Sequence, residues 1–165
     1  MKLSDTSEFS DPDGSIIYAY EYGGLIEDGG LVWFLNDGIL TFANSDTIPD
    51  FSSAEETPWY AFREDIASIS LEGITVIGSY AFSGLDSNDF VYVTISEATS
   101  IGDKAFFGCS YLHEAFFSGD PPTLGTDVFG NTADGFYVSY DGTNHKWDQV
   151  IENDLWNGYP ATGLV

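Results

Sequence analysis

The middle of the chain repeats one six-residue motif, and this repetition restricts the folds that the sequence can adopt. Two copies of the form Ile-Gly-x-x-Ala-Phe occupy residues 77–82 and 101–106, and a degenerate third copy occupies residues 124–129. A unit of about 24 residues cannot bury its apolar side alone, whereas stacked units bury a continuous core. The spacing therefore predicts a solenoid in which each copy takes the same place in successive coils.

Each repeat is predicted to contain a short strand, a turn and one helical turn. The residue after the motif glycine is Ser79, Asp103 or Thr126, and side chains of these types cap helix N-termini. The phenylalanine that ends each motif is expected to lie in the core. Short parallel strands are predicted at residues 69–71, 91–95, 115–117 and, as the last strand, 136–138.

The regions on either side of the repeats have a different pattern. Residues 1–14 are polar and are expected to form a flexible acidic arm. Residues 15–66 predict a β-hairpin-rich N-terminal cap with a short helix, and about three repeats of roughly 24 residues follow over 67–139. Residues 140–165 predict a C-terminal cap, because the end of a solenoid exposes apolar edges that need covering.

Local signals support the predicted N-terminal cap. Asp37-Gly38 lies between two apolar runs, which favours a tight hairpin because glycine accepts a positive φ. Thr57-Pro58 predicts the start of a helix that ends near Asp65, because Thr caps helices and Pro suits the first helical position. Aromatic residues are expected to pack over both ends of the solenoid: Trp33, Trp59, Tyr18, Tyr20 and Tyr22 at one end, Trp147 and Trp156 at the other.

Three segments of the chain resemble one known family. The repeat Ile-Gly-x-x-Ala-Phe-x-Gly, with Gly108-Cys109-x-x-Leu112 closing a unit, is similar to the BspA-type leucine-rich repeats of bacterial surface proteins. Residues 33–41 and 155–160 resemble the segments that begin and end these arrays. The resemblance implies an α+β solenoid: a short leucine-rich-repeat stack with a β-rich N-terminal cap and a C-terminal cap.

The same resemblance implies a function and a location. It points to a non-enzymatic module that is secreted or displayed on the cell surface, and that binds a protein ligand in adhesion, such as a host extracellular-matrix or surface protein. Met1 to Asp5 lack the apolar stretch of a signal peptide, so this chain would carry no leader of its own. A purely structural repeat segment of a larger protein is a further reading, and the sequence specifies no oligomeric state.

Composition excludes several classes of partner. The chain has 27 Asp and Glu residues against 4 Lys and Arg residues, which gives a net charge of −23. Nucleic-acid binding needs clustered Lys and Arg, so no nucleic-acid partner is expected. No apolar run approaches the roughly 20 residues that a membrane helix needs, so no membrane insertion is expected.

Catalytic and metal-binding motifs are absent from the sequence. His113 and His145 lack partners at helical spacing, and Cys109 falls at a core-facing position of the repeat. Residues 11–14 only faintly resemble the start of a calcium loop. No catalytic residue, metal or cofactor is therefore predicted. A hydrolase that uses two of the many carboxylates is an alternative of a different class.

The predicted ligand-binding surface is the outward face of the strands. Residues of a strand alternate between faces, and neighbouring strands lie about 4.8 Å apart, so Tyr92, Phe116 and Tyr137 are expected to form an exposed aromatic ladder, in line with Ser68. A row of small hydroxyl residues, Ser70, Thr94 and Ser118, runs beside it. The predicted ligand-binding residues are Tyr92, Phe116, Tyr137, Ser70 and Thr94.

Two other interpretations of this face remain open. Aromatic and hydroxyl side chains also suit a carbohydrate, so a carbohydrate-binding module is the alternative function. A structural interpretation is that the rings only stack on one another or lie under a terminal segment. The residues expected to point inward are Ile69, Leu71, Val91, Val93, Ile95, Ala115, Phe117, Phe136 and Val138.

Overall fold

The computed structural model describes residues 9–10, 16–17, 22–27 and 29–165. Three 3-10 helices, each of three residues, lie in this part of the chain: Ala54–Glu56, Tyr60–Phe62 and Trp147–Gln149. The strands are β1 Phe9–Ser10, β2 Ile16–Ile17, β3 Tyr22–Ile26, β4 Leu31–Asn36, β5 Ile39–Ala43, β6 Thr47–Ile48, β7 Ser68–Ile69, β8 Val76–Ile77, β9 Tyr92–Ile95, β10 Ser100–Ile101, β11 Glu114–Phe117, β12 Thr123–Leu124, β13 Tyr137–Asp141, β14 Leu155–Trp156 and β15 Tyr159–Leu164.

Two parallel sheets form the walls of a β-solenoid of about four coils. One wall has the order β12-β10-β8-β6, and the other has the order β14-β15-β13-β11-β9. Every pairing within these walls is parallel except that of β14 with β15. The predicted parallel strand at 136–138 is present as β13, but it is not the last strand, because β15 pairs with its outer edge.

A separate hairpin sheet precedes the walls, and it forms where the sequence predicts it. β4 and β5 are joined by Asp37 and Gly38, whose φ values are 47° and 75°. Two positive φ values in a two-residue loop match the twist of the flanking strands. β7 then pairs in parallel with β5, which connects this sheet to the first coil.

The helical turn predicted in each repeat is wrong. The backbone N–H of Ala81 donates to Gly78 O at 3.3 Å within its own turn, but the N–H of Tyr80 donates across to Asp103 O at 3.0 Å in the next coil. Tyr80 itself has a φ of 59°, outside the helical region. The motif turns at 77–82 and 101–106 therefore donate alternate N–H groups to the next coil. With only short 3-10 helices among the described residues, the α+β class is not confirmed.

The helix predicted from Thr57 to Asp65 is also wrong in extent. The 3-10 helix Ala54–Glu56 begins earlier and ends just before Thr57, and a second one covers only Tyr60–Phe62. The Thr57 hydroxyl donates to Ala54 O at 2.8 Å, so it closes the preceding turn instead of capping a following helix.

The phenylalanines that end the motifs form the predicted core column. The ring centroids of Phe82 and Phe106 lie 5.2 Å apart, and those of Phe106 and Phe129 lie 5.4 Å apart. All three side chains are buried. Because each ring contacts the equivalent ring of the next coil, the column joins the coils into one core.

All four tryptophans are buried, as the sequence predicts. Trp33 packs edge-on against Trp59 at a centroid distance of 6.1 Å, and Trp147 packs edge-on against Trp156 at 4.9 Å. The ring of Tyr22 is tilted against that of Phe62 at a centroid distance of 4.2 Å, while Tyr18 and Tyr20 lie outside the described residues. The two ends of the repeats are thus each in contact with a cluster of aromatic side chains.

Candidate functional site: the outward face of the strands

The outward face of β9, β11 and β13 carries a row of two tyrosines and a carboxylate. The pairing places Glu114 opposite Tyr92 on one side and opposite Tyr137 on the other. Tyr92 is 44% exposed, Tyr137 is 36% exposed and Glu114 is half-buried. Their strand neighbours Val93, Ala115 and Val138 are buried, so the two faces alternate as predicted. We call Tyr92, Glu114 and Tyr137 the tyrosine–glutamate row.

The predicted aromatic ladder of Tyr92, Phe116 and Tyr137 is wrong. Phe116 lies opposite Thr94 and Ser139, two residues further along the strands than the tyrosines. The reason is an insertion in the first of the two repeats. Phe90 and Leu112 are fully buried at equivalent positions before β9 and β11, but the segment from Gly84 to Phe90 is two residues longer than the segment from Gly108 to Leu112.

The same displacement moves Ser118. It lies beside Ser96, 22 residues away, with 2.9 Å between the two Oγ atoms, and not beside Thr94. Phe116 is half-buried and lies between Thr94 and Ser139, two residues along the strands from the tyrosine–glutamate row.

Sequence reasoning missed Glu114, which organises the tyrosine–glutamate row. The Tyr137 hydroxyl donates to Glu114 Oε2 at 2.8 Å, and the Ser139 hydroxyl donates to Oε1 at 2.5 Å. The bond to Glu114 is the main cause that raises the pKa of Tyr137, with burial and the nearby charges of Glu114 and Tyr92 adding to it. Aligning the buried anchors Phe90 and Leu112, instead of the strand letters, would have placed Glu114 in this row.

Of the remaining predicted residues, Ser70 and Thr94 lie close together, and Ser68 belongs to a different sheet. Ser70 and Thr94 line one shallow depression together with Glu72 and Glu97, so the structure brings them together. Ser68 pairs with Ile39 in the hairpin sheet. Val91, expected to point inward, is 43% exposed because β9 begins only at Tyr92. The other residues expected to point inward are buried.

Cys109 and the histidines are not arranged as a catalytic centre in the described structure. Cys109 is buried, its Sγ donates to Phe82 O at 3.1 Å, and burial raises its pKa to about 12. His113 is exposed, and His145 Nδ1 lies 3.0 Å from Asp148 Oδ2 on the surface. A thiol with so high a pKa is a poor nucleophile.

Metal-ligating side chains do not cluster in the described residues: no group of three or more His, Cys, Asp or Glu side chains there could hold an ion. Residues 11–14, with the faint calcium-loop pattern, lie outside the described part. Within the described ranges, no helix has the length and apolar character needed to cross a membrane.

Comparison with known proteins identifies the repeats. Residues 41–147 match the family model described as the BspA type leucine rich repeat region (6 copies). The crystal structure of a leucine-rich repeat protein from Eubacterium ventriosum aligns with 70% of this chain at 24% identity and a TM-score of 0.46, and the alignment spans 39% of that protein. A search of curated proteins found no match. Since the family model covers more than half of the sequence, the chain belongs to the BspA-type leucine-rich repeat family.

Proposed function

We propose that the chain is a non-enzymatic module, secreted or displayed on the cell surface, that binds another protein in adhesion through the outward face of β9, β11 and β13. The observation that carries this proposal is the tyrosine–glutamate row, in which two exposed tyrosines flank a carboxylate held by two hydrogen bonds. Membership of a leucine-rich repeat family supports a role in protein interaction.

The physical case for this face is its rigidity. Tyrosines at interfaces supply large contact area at low cost in conformational entropy. Here β13, which carries Tyr137, is paired on both sides, and β9, which carries Tyr92, is the edge strand and is paired with β11. The next residue of each strand, Val93 or Val138, is buried in the core. A partner would therefore meet a surface that needs little reordering on binding.

We infer that the predicted regions 15–66 and 140–165 cap an array of about three repeats at 67–139. The Trp59 indole N–H donates to Ala81 O at 2.8 Å, and the Trp147 indole N–H donates to Gly119 O at 3.0 Å. Each flanking region thus hydrogen-bonds to the repeat it covers. Of the predicted flexible arm at 1–14, only Phe9–Ser10 lies in the described residues, paired with Ile16–Ile17, so the arm stays a prediction.

Binding to a panel of immobilised extracellular proteins tests the proposed function. The panel is run at about 0.15 M and about 0.5 M salt, because screening at the higher concentration weakens nonspecific attraction of basic proteins to a chain of charge −23. We expect at least one partner to be retained at the higher salt concentration. Loss of every partner there, or binding only to a glycan array, would contradict the proposal and, in the second case, favour the carbohydrate alternative.

A further inference from the structure

We propose that the tyrosine–glutamate row recognises an arginine side chain of a partner protein, with the guanidinium bound to Glu114 and flanked by the rings of Tyr92 and Tyr137. This inference rests on the proposed function and names the chemistry of the partner.

The first argument is that the charge of Glu114 is not compensated within the described structure. The ion pairs found there join Arg63 to Glu64, His145 to Asp148 and Lys146 to Asp120, and none involves Glu114. Lys104, the remaining lysine or arginine among the described residues, lies over the rings of Tyr80 and Phe107, and the exposed His113 is in none of these ion pairs.

The second argument is that the carboxylate is oriented and still has room for donors. Its two oxygens accept one hydrogen bond each, from Tyr137 and Ser139, while an ionised carboxylate offers about four acceptor positions. The half-burial of Glu114 lowers the screening by water, which strengthens a charge-assisted bond to an incoming cation.

The third argument is the spacing of the rings. Tyr92 and Tyr137 lie on strands that both neighbour β11, so their backbones are separated by two strand spacings, or about 10 Å. A planar guanidinium can occupy the space above Glu114 and contact aromatic faces on either side. Arginine suits this arrangement better than lysine, because it stacks on rings, is more weakly hydrated and offers five donors in a fixed plane.

The charge of the whole chain favours the same partner. The chain has 27 acidic and 4 basic residues, so it attracts basic surfaces over a distance, and the row then supplies a defined contact at short range. Acidity alone would attract any cation at many places on the surface, so the test has to separate a local contact from this general attraction.

A titration followed by amide NMR shifts of the intact chain makes this separation. The probes are three capped pentapeptides, Gly-Gly-X-Gly-Gly, in which X is arginine, lysine or citrulline, at about 0.15 M salt. Citrulline keeps the shape of arginine but removes its charge. We expect saturable shifts at the amides of Tyr92, Glu114 and Tyr137 with the arginine peptide, weaker binding of the lysine peptide, and no saturable shifts with the citrulline peptide.

A matched pair of variants tests the role of the carboxylate. Glu114→Gln and Glu152→Gln each remove one negative charge, and Glu152 is exposed and outside the row. We expect Glu114→Gln to weaken arginine-peptide binding by about tenfold or more, and Glu152→Gln to change it by less than about twofold. Equal weakening by both variants, equal binding of the citrulline peptide, or shifts spread over the acidic surface would overturn the inference.

The failures of the two proposals are distinguishable. If a panel partner is retained at high salt and lost on substitution of the tyrosines, but Glu114→Gln leaves its affinity unchanged, the arginine inference fails and the proposed function stands. If the arginine peptide binds at the row as expected but no panel protein is retained, the contact chemistry is supported and the proposed function fails.

Discussion

Glu114 and Tyr137 lie opposite one another on adjacent parallel strands, and the Tyr137 hydroxyl donates a hydrogen bond of 2.8 Å to Glu114 Oε2. Strand pairing thereby sets the position of an exposed aromatic ring relative to a carboxylate on the neighbouring repeat. The contact crosses from one coil to the next, so it forms only when the repeats are stacked. A binding feature of this kind belongs to the array and not to a single repeat.

Because of this hydrogen bond, we expect the Tyr137 phenol to lose its proton at a higher pH than an ordinary tyrosine. The bond favours the protonated phenol, so the pKa of Tyr137 is raised. The bond therefore stabilises the fold below the ordinary phenol pKa of about 10, and this stabilisation is lost as the pH rises through the raised pKa. Subtracting the tyrosinate absorbance titration of Tyr137→Phe from that of the parent isolates this group, because Tyr159 also titrates late through burial. Glu114→Gln should return the Tyr137 titration toward the ordinary value. A difference curve already centred at that value in the parent would contradict the assignment.

The phenylalanine column predicts a large loss of stability on truncation. Phe106 contacts Phe82 and Phe129 on either side and is fully buried, so Phe106→Ala should lower the free energy of unfolding by about 3–5 kcal/mol. Tyr111→Ala is the control, because Tyr111 is 44% exposed and should change the stability by about 0.5 kcal/mol or less. Urea unfolding measures both values. A loss below about 1 kcal/mol for Phe106→Ala would show that the column does not hold the coils together.

Close approach of neighbouring coils predicts that Gly102 cannot be enlarged. A Cβ at Gly102 would overlap the backbone nitrogen of Ser79 and lie 2.8 Å from the carbonyl carbon of Gly78, and neither atom belongs to a flexible side chain. Gly102→Ala should therefore destabilise the fold by about 1–3 kcal/mol or more.

Gly73→Ala provides the comparison for Gly102→Ala. Gly73 has a φ of +74° but open space around it, so only the backbone strain of about 1 kcal/mol applies there. The melting temperature of Gly102→Ala should be the lower of the two. The opposite order would mean that the coils are not in contact at this position.

Local features of the fold could be predicted from the sequence, because their causes are local. Asp37-Gly38 sets the hairpin through two positive φ values, and the repeated phenylalanine sets the core column through its period. The burial of Cys109 follows from the same period. None of these three features depends on how the strands align.

The features that were missed depend on contacts between coils. The sequence predicts that Asp103 caps a helix in its own repeat, but its Oδ1 accepts the N–H of Thr126 in the next coil at 2.7 Å. The aromatic ladder is wrong for a related reason. The register of the strands follows the buried residues Phe90 and Leu112, and a two-residue insertion before Phe90 shifts the position of the strand that follows it. An error of one residue in the strand register would put apolar side chains on the outward face, so the burial pattern reveals it. An error of two residues leaves the pattern of buried and exposed side chains unchanged, so the sequence does not reveal it.

The buried thiol predicts chemical inertness in the native state. Burial raises the pKa of Cys109 from 9.0 to about 12, so at pH 8 the folded chain should not react with a disulfide reagent, while the chain in concentrated urea should react fully. Because the unfolded thiol ionises first, stability should also fall as pH rises from about 9 toward 12, beyond the loss that Cys109→Ala shows. Rapid reaction of the native protein at pH 8 would contradict the buried position.

Affinity for a retained partner tests the binding face most directly. The measurement compares the parent with Tyr92→Ser/Tyr137→Ser and with Tyr111→Ser, which removes an equally exposed ring away from the strands. We predict a loss of roughly 100-fold or more for the double variant, with a melting temperature close to that of the parent, and a change below about twofold for Tyr111→Ser. Unchanged affinity in the double variant, or a loss of affinity that accompanies unfolding, would contradict the assignment of this face to binding.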